Sequence, residues 1–399
     1  MPNRNFFPEP QNSGSIKWRI PLSAPSYTEE EARSINNVLK SGWLTSGPET
    51  YQLEREFEDY LGVRHAIAVT NGTAALYLAF LALGMTKDDE VVTPALNFVA
   101  AANTVLHAGG IPRFADVASP DAPLVSAQTL ERAITPKTRG ICLMHYGGYP
   151  CAMNAIIDLA REHQLWVVED AAHAPGAAYN GIPCGKWGDV ACFSFFGNKN
   201  ITCAEGGLVV TRRDDVAERL RLLRSHGMDS LTWDRYKGHC FSYDVTVPGF
   251  NFRLDDLRAT FLRIQLRSLE RINLRREERV HWYQQFLGKD PRWILPFDKY
   301  RGKSAFHLFT VVLADEISRS ELMQFMKDWG IQCSIHYPPV HQFTFYRNLP
   351  HSHADLPITE NLGRQILSLP LFSDMTQEQV EYVCTTFREA VDRQMKRKQ

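Results

Sequence analysis

From Ala66 onward, short apolar runs of strand length alternate with segments of helical periodicity, and this alternation constrains the fold more than any other feature. AIAVT, from Ala66 to Thr70, leads into Asn71-Gly72-Thr73 and the Ala/Leu-rich AALYLAFLALG. EVVTP is followed by NFVAAANTVLHAGG, IPRFADV by a helix near Leu130, and GICLMHY by NAIIDLAREH. LWVVED, VACFSF and GLVVT complete the apolar runs. Strands separated by helices in this way predict an α/β fold with a mostly parallel sheet wound by crossover helices. Gly and Pro at 72, 94, 110 and 147–150 fit short loops between the elements.

Upstream, residues 1–20 read as an N-terminal arm. Thr28 and Glu31 form a capping box, and Ala32, Ile35 and Leu39 continue one apolar face of the helix it starts. Tyr51, Leu53, Phe57 and Leu61 predict a second helix. Near residue 250 the texture changes. Asp255 to Val280 is a charged amphipathic segment in which Leu262, Leu266, Leu269 and Ile272 recur at spacings of three and four. Leu257, Phe261 and Ile264 widen the stripe, as one long helix requires. Beyond it, FHLFTVVL, a helix from Ser320, IQCSIHY and a terminal helix from Thr376 make a strand-helix-strand-helix unit, with MKRKQ a frayed basic end. The expected organisation is an arm (1–20), a large domain (21–255), and a connector helix with a small C-terminal α+β domain (256–399).

Composition narrows the function classes. Forty-four basic residues nearly cancel forty-five acidic ones, leaving a formal charge of −1, which argues against a nucleic-acid-binding surface. A hydrophobic fraction of 44% and a charged fraction of 22% belong to a folded globular protein. No apolar run approaches the roughly 20 residues that span a bilayer, and the polar N-terminus lacks the apolar core of a signal peptide. No membrane association and a cytoplasmic location are expected. The eight cysteines contain no C-x-x-C pair, and the thirteen histidines form no i, i+4 pair with a catalytic Glu. Free thiols in a reducing compartment and no metal site are expected, with His351-Ser352-His353 a solvated loop.

Three features carry chemistry. Asp170 ends the apolar run LWVVE, at the edge of a parallel sheet where open α/β folds bind ligands, although a lone strand-end Asp caps helices just as readily. Lys199 lies in FSFFGNKNITCAEGG, a short loop anchored between two strands. A surface lysine is the ordinary reading. A desolvated lysine held there could instead bond a carbonyl cofactor. Asn71-Gly72-Thr73-Ala74 joins a strand to a helix start, so its N–H groups and the helix dipole form an anion site. It has neither the G-x-G-x-x-G spacing of dinucleotide sites nor a P-loop Lys.

Together these motifs resemble the DegT/StrS group of sugar aminotransferases, fold-type I enzymes that use pyridoxal phosphate (PLP). The resemblance runs from about Ile20 to the end. It is carried in order by SGWLTSGP (41–48), NGTAAL (71–76), TPALNFVAAANTV (93–105), VVEDAAHAPGAAYNG (167–181) and FSFFGNKNITCAEGG (193–207). RSHGM (224–228), GFNFRLDDLRAT (249–260), HYPPVH (336–341) and LPITENLGRQILSLPLF (356–372) follow.

The resemblance implies that Lys199 bonds the cofactor and serves as base for the 1,3-proton shift, while Asp170 keeps the pyridine nitrogen protonated. It puts His173 at the cofactor's phenolic oxygen or beside the ring, Phe98 on the ring face, and Gly72, Thr73 and Ser194 on the phosphate. Asn251 is implied to reach the phosphate of a neighbouring subunit, so that the sites lie at a homodimer interface. Trp43, Arg253 and His341 fall on the substrate side. The implied reaction moves an amino group, with L-glutamate as donor, onto a nucleotide-linked keto sugar in amino-sugar and polysaccharide biosynthesis, the cofactor alternating between PLP and PMP. A keto-cyclitol substrate and a PLP-binding regulatory protein without turnover are the alternatives. FSFFGNK resembles the form in perosamine synthases, and a lysine rather than the histidine of related dehydratases favours transamination. In the run after the lysine, Cys203-Ala204 replaces the family's Thr-Gly. Alanine resists the positive φ that glycine tolerates, so a differently shaped loop is expected there.

Overall fold

Elements form where local signals and burial agree, as at the segment after Asn71. The Asn71 Oδ1 accepts the Ala74 N–H at 2.8 Å and starts an 11-residue helix, Gly72–Ala82, whose Ala and Leu side chains are buried nearly all round. The computed structural model describes residues 18–229, 242–300, 302–349 and 355–398. Most of the arm, Cys240 and the His351-Ser352-His353 loop lie outside them.

In chain order the first half comprises α1 (Glu29–Ser41), α2 (Pro48–Leu61), β1 (His65–Val69), α3 (Gly72–Ala82), β2 (Glu90–Pro94), α4 (Ala100–His107), β3 (Ile111–Ala115), α5 (Ala127–Glu131), β4 (Thr138–Met144), α6 (Met153–Glu162) and β5 (Trp166–Asp170). A small hairpin, β6 (Ala178–Tyr179) and β7 (Ile182–Pro183), precedes β8 (Val190–Ser194), β9 (Gly207–Thr211) and α7 (Asp214–Arg224). The remainder is α8 (Asp256–Leu287), β10 (Trp293–Ile294), β11 (Phe309–Leu313), α9 (Arg319–Asp328), α10 (Thr344–Arg347), α11 (Pro357–Gln365), β12 (Ile366–Leu369) and α12 (Gln377–Lys398).

The large sheet has seven strands in the order β1-β9-β8-β5-β4-β2-β3. β3, β2, β4, β5 and β8 are parallel, as expected, whereas β9 is antiparallel to both β8 and β1. The reason is the short loop from β8 to β9: without a crossover helix, the chain can only turn back beside itself. The C-terminal ends of β1, β5 and β8 and the start of β9 therefore share one rim.

A second sheet, β10-β11-β12, is antiparallel, with β11 in the middle. The expectation of a strand at IQCSIHY is corrected here. Both sides of β11 are taken by Trp293–Ile294 and Ile366–Leu369, so that segment keeps only isolated bridges, Ile331 to Ile20 and Ser334 to Ser368. Two further expectations shift. In α1 the capping box is present, but the buried positions are Glu31 and Val38, while Leu39 is 51% exposed. The C-terminal basic residues continue α12 to Lys398 rather than fraying.

Helix α8 is 32 residues long, running past Val280 to Leu287. Its stripe serves two cores. Ala259, Leu262, Leu266, Leu269 and Ile272 pack over the large sheet, and Val280, Tyr283 and Leu287 pack against the small one. The described cysteines are free. Among the described residues no helix is long and apolar enough to cross a membrane.

Candidate active site

Strand register brings the three sequence signals together. Val69 pairs with Gly207, and Gly207 with Ser194, in one row across β1, β9 and β8, while Asp170 sits beside Cys192 on the next strand. Two glycines let α3 settle on this row. A Cβ on Gly72 would lie 2.8 Å from the Ser194 Cβ, and one on Gly207 would lie 2.4 Å from the Asn71 carbonyl carbon. Asn71 caps the third N–H of α3, which leaves the Gly72 and Thr73 N–H groups at an open, positive helix end next to Ser194.

Lys199 lies in the loop that closes over this rim. The loop is pinned: the Lys199 N–H donates to the Phe196 carbonyl (2.9 Å), the Thr202 hydroxyl to that of Phe195 (3.0 Å), and Arg258 to that of Glu205 (3.0 Å). The next residue, Asn200, is more constrained still. Its Nδ2 donates to Asn273 (2.8 Å) and to the Ala305 carbonyl (2.6 Å), and its Oδ1 lies 2.9 Å from His307 Nδ1. Burial pushes the Lys199 amine down to about 8, and Asp170 acts on it in the opposite sense. Desolvation also raises the Asp170 carboxyl above the usual range, against the Ala172 N–H (3.1 Å) and the lysine charge.

Around them lies a group of rings. His173 accepts the Gly147 N–H at Nδ1 (3.3 Å), and its Nε2 lies 3.0 Å from the Tyr337 hydroxyl. The His307 ring is 4.2 Å from that of His173, and Phe98 is 5.9 Å from Tyr337. Burial, next to the lysine charge, holds His173 and His307 neutral, and His336 at about 4. Phe98 itself is 53% exposed.

The other expected residues are placed as follows. Asn251 is exposed and bridges Ser225, and its neighbour Phe252 accepts the Thr70 N–H at 2.8 Å, next to the helix start at Asn71. Arg253 donates to the Ser225 hydroxyl at 3.3 Å. Trp43 lines an open groove of about 1030 Å³ with Arg33, Asp256 and Arg263, which none of the rim residues lines. His341 is buried against Phe114 of edge strand β3, four strands from β8, with Nε2 3.2 Å from Glu360. The rim cluster does not include it.

The expected loop change at Ala204 is corrected. Ala204 adopts φ +69°, the glycine-like conformation, because hydrogen bonds on both sides over-determine the loop. The left-handed conformation costs alanine about 1–2 kcal/mol.

Sequence reasoning missed Asn97, Asn200, His307 and Tyr337. All but His307 lie in motifs singled out above for other residues. His145, Glu169 and Cys184 bring possible ligand atoms within 4.8 Å, but the lone pairs of Glu169 and His145 are engaged. Glu169 takes N–H groups from Gly185 (2.9 Å), Trp187 (2.8 Å) and Gly188 (2.9 Å) as well as His145 Nε2 (2.9 Å), and His145 Nδ1 accepts from Cys151. They buttress the strand end that carries Asp170.

The rim suits a phosphorylated aromatic aldehyde: an open helix end, a buried carboxylate, an amine near pH 8 and an exposed aromatic face. Asn97, 2% exposed beside Phe98, has both amide atoms without a partner among the described residues, as expected where a polar group is missing. The comparisons agree. The model of the DegT/DnrJ/EryC1/StrS aminotransferase family matches residues 25–388. The spore coat polysaccharide biosynthesis protein SpsC of Bacillus subtilis (strain 168) is 37% identical over 378 residues, covering 93% of this chain and 97% of SpsC. Spr1654 of Streptococcus pneumoniae in its PLP form superposes with a TM-score of 0.87 at 26% identity, over 94% of this chain and 99% of that one. DesI, crystallised in the presence of its TDP-sugar product, gives 0.85 at 28% identity, over 95% and 94%.

Proposed function

Because the chain belongs to the DegT/DnrJ/EryC1/StrS aminotransferase family and is a sugar aminotransferase dependent on pyridoxal phosphate, we propose that Lys199 bonds the cofactor and that Asp170 holds a proton on its ring nitrogen. One observation carries this reading: the desolvated Lys199 amine stands opposite buried Asp170 on the rim where Gly72 and Ser194 meet.

When bound, pyridoxal phosphate supplies an electron sink while the amino group is exchanged. The protein's groups do the rest. Among the described residues the Asp170 carboxylate accepts one hydrogen bond, from Ala172, and so keeps acceptor capacity for a ring N–H. A cation there offsets the burial that raises its pKa. Lys199 Nζ, titrating near pH 8, takes a proton from one carbon and returns it to another. The Gly72 and Thr73 N–H groups and the Ser194 hydroxyl would hold the phosphate. Phe98 would cover the ring face, and the pinned loop at 195–206 would exclude water from it.

We further propose that the acceptor is a nucleotide-linked keto sugar and the donor L-glutamate, in amino-sugar and polysaccharide biosynthesis. Similarity to SpsC and DesI supports this. Residues 21–255 supply the cofactor site, and 256–399 add the connector helix and the small domain that closes over it. The exposure of Asn251, Phe98 and Phe196 beside the rim supports a homodimer in which Asn251 reaches the neighbouring subunit's phosphate. Arg253, two residues from Asn251, is kept on the substrate side, whereas Trp43 lies in a groove that no rim residue lines.

The test uses the purified holoenzyme. L-Glutamate should bleach its visible band and release 2-oxoglutarate, and one member of a panel of nucleotide-linked keto sugars should restore the band as it is aminated. A band that no amino donor changes would overturn the reading.

A further inference from the structure

The loop that follows Asp170 and the loop that carries Lys199 are tied to one side chain of the connector helix. Asn273, in the middle of α8, donates from Nδ2 to the Pro175 carbonyl at 2.9 Å, in the loop that follows Asp170. Its Oδ1 accepts from Asn200 Nδ2 at 2.8 Å, and Asn200 is the residue after Lys199. Asn200 sends the same amide nitrogen to the Ala305 carbonyl (2.6 Å), and its Oδ1 lies 2.9 Å from His307 Nδ1. Asn200, Asn273 and His307 are all buried, so these bonds are made away from water.

Each amide in this chain of bonds has one workable orientation. Turning the Asn273 amide over would set its oxygen against the Pro175 carbonyl and its nitrogen against the Asn200 nitrogen. Turning Asn200 over would set its oxygen against the Ala305 carbonyl and the Asn273 oxygen. The hydrogens therefore run one way: His307 Nδ1–H to Asn200, Asn200 to Asn273, and Asn273 to Pro175. Removing one link leaves its buried partner to bear the full cost of desolvation.

The helix itself is a fixed support. Leu269 and Ile272, on either side of one helical turn before Asn273, pack in the core over the large sheet. One turn beyond it, the buried Arg276 guanidinium donates to the carbonyls of Phe306 (2.8 Å), His307 (2.7 Å) and Leu371 (3.1 Å). Residues three apart on a helix are surface neighbours, so Arg276 locks the same face to the small domain. The loop after Asp170 is shaped to come close. A Cβ on Gly176 would lie 2.6 Å from Asn273 Nδ2, and Gly176 has φ +83°, which glycine tolerates.

Resting on the reading of Lys199 and Asp170 above, we infer that Asn273 is a positioning residue for amino transfer: through Asn200 it sets the Lys199 backbone against the loop that follows Asp170. Lys199 has to reach two carbons in turn while Asp170 stays opposite, and both reaches depend on that spacing. An error of about 1 Å in such a placement costs up to about 10²-fold in rate. The bonds of Asn273 go to the two loops and not to the rim groups themselves, so binding is spared and the chemical step is not.

The experiment follows single-turnover bleaching of the holoenzyme's visible band by L-glutamate. Asn273→Leu, close in size and without either hydrogen bond, should slow bleaching at saturating glutamate on the order of 10- to 10²-fold. The glutamate concentration for half-maximal rate should stay near that of wild type. With glutamate deuterated at its α-carbon, the isotope effect should persist or grow, since proton transfer is the step that is slowed. Asn200→Ala should lose as much, and the double variant little more, because the two residues act through one link. Bleaching at the wild-type rate, a loss confined to glutamate binding, a vanished isotope effect or additive losses would overturn the inference and leave the function standing. If Asn273→Leu does not fold, Asn200→Ala carries the test, and failure of both to fold would make the link purely structural and overturn the inference too. A wild-type band that no amino donor bleaches would overturn the reading of function instead.

Discussion

Lys199 offers a prediction whose size follows from its surroundings. An ordinary lysine near 10.5 would be neutral in only about one molecule in a thousand at pH 7.5. With burial bringing the amine to about 8, roughly a quarter of the molecules are neutral at that pH, about 200-fold more. Competitive labelling reads this directly. Cofactor-free protein is treated with a trace acylating reagent from pH 6 to 11, and the modified Lys199 peptide is quantified by mass spectrometry. The midpoint should fall at about 8. Asp170→Asn gives the sign. The carboxylate favours the ammonium form, so removing it should move the midpoint further down. A wild-type midpoint near that of surface lysines, or an upward move in the Asn variant, would refute the argument that desolvation governs this amine.

Lys199→Ala should lose multiple turnover while its far-UV circular dichroism and non-covalent cofactor binding stay close to wild type. Asp170→Asn should still load cofactor, yet lose on the order of 10²–10³ in kcat measured by amino-sugar formation, as at other sites stripped of one electrostatic partner. Lys199→Ala and Asn251→Ala, each nearly inactive alone, should regain part of the activity once mixed and shown to exchange subunits. No recovery after proven exchange would place both residues in one subunit's site. Ala204→Gly relieves about 1–2 kcal/mol of left-handed strain at an exposed position, against about 0.4–1 kcal/mol of added unfolded-state freedom. Thermal unfolding should therefore show unchanged to slightly raised stability, and a clear loss would mean that the methyl group packs.

Legibility in the sequence differed from element to element for physical reasons. The capping box at Thr28 and Glu31 was readable because capping is local, and it is present. The face of the same helix was misread, since Leu39 is exposed and Glu31 buried, and only the position of α8 decides that. Glu31 is held from that side, with Gln265 of α8 donating to it at 2.6 Å. IQCSIHY has the composition of a strand, but pairing is a competition for neighbours, and Ile366–Leu369 takes the place beside β11. Ala204 shows the opposite case: propensity argued against a positive φ, and a pinned loop imposed it.

By itself, the sequence determined what depends on composition, periodicity and short motifs: an α/β class with a mostly parallel sheet, the long α8, and an Asn-capped helix start, an Asp and a Lys in the order of a PLP aminotransferase. Only the tertiary structure decided which side chains share a proton. Tyr337 and His173 are 164 positions apart, and Asn200 and His307 are 107 apart. No local signal records such a pairing, because hydrogen-bond direction depends on which donors and acceptors the fold has already spent nearby. The same holds for the Lys199 amine: its residue type sets the ordinary value, and the burial that brings it to about 8 exists only once the loop has closed on the rim.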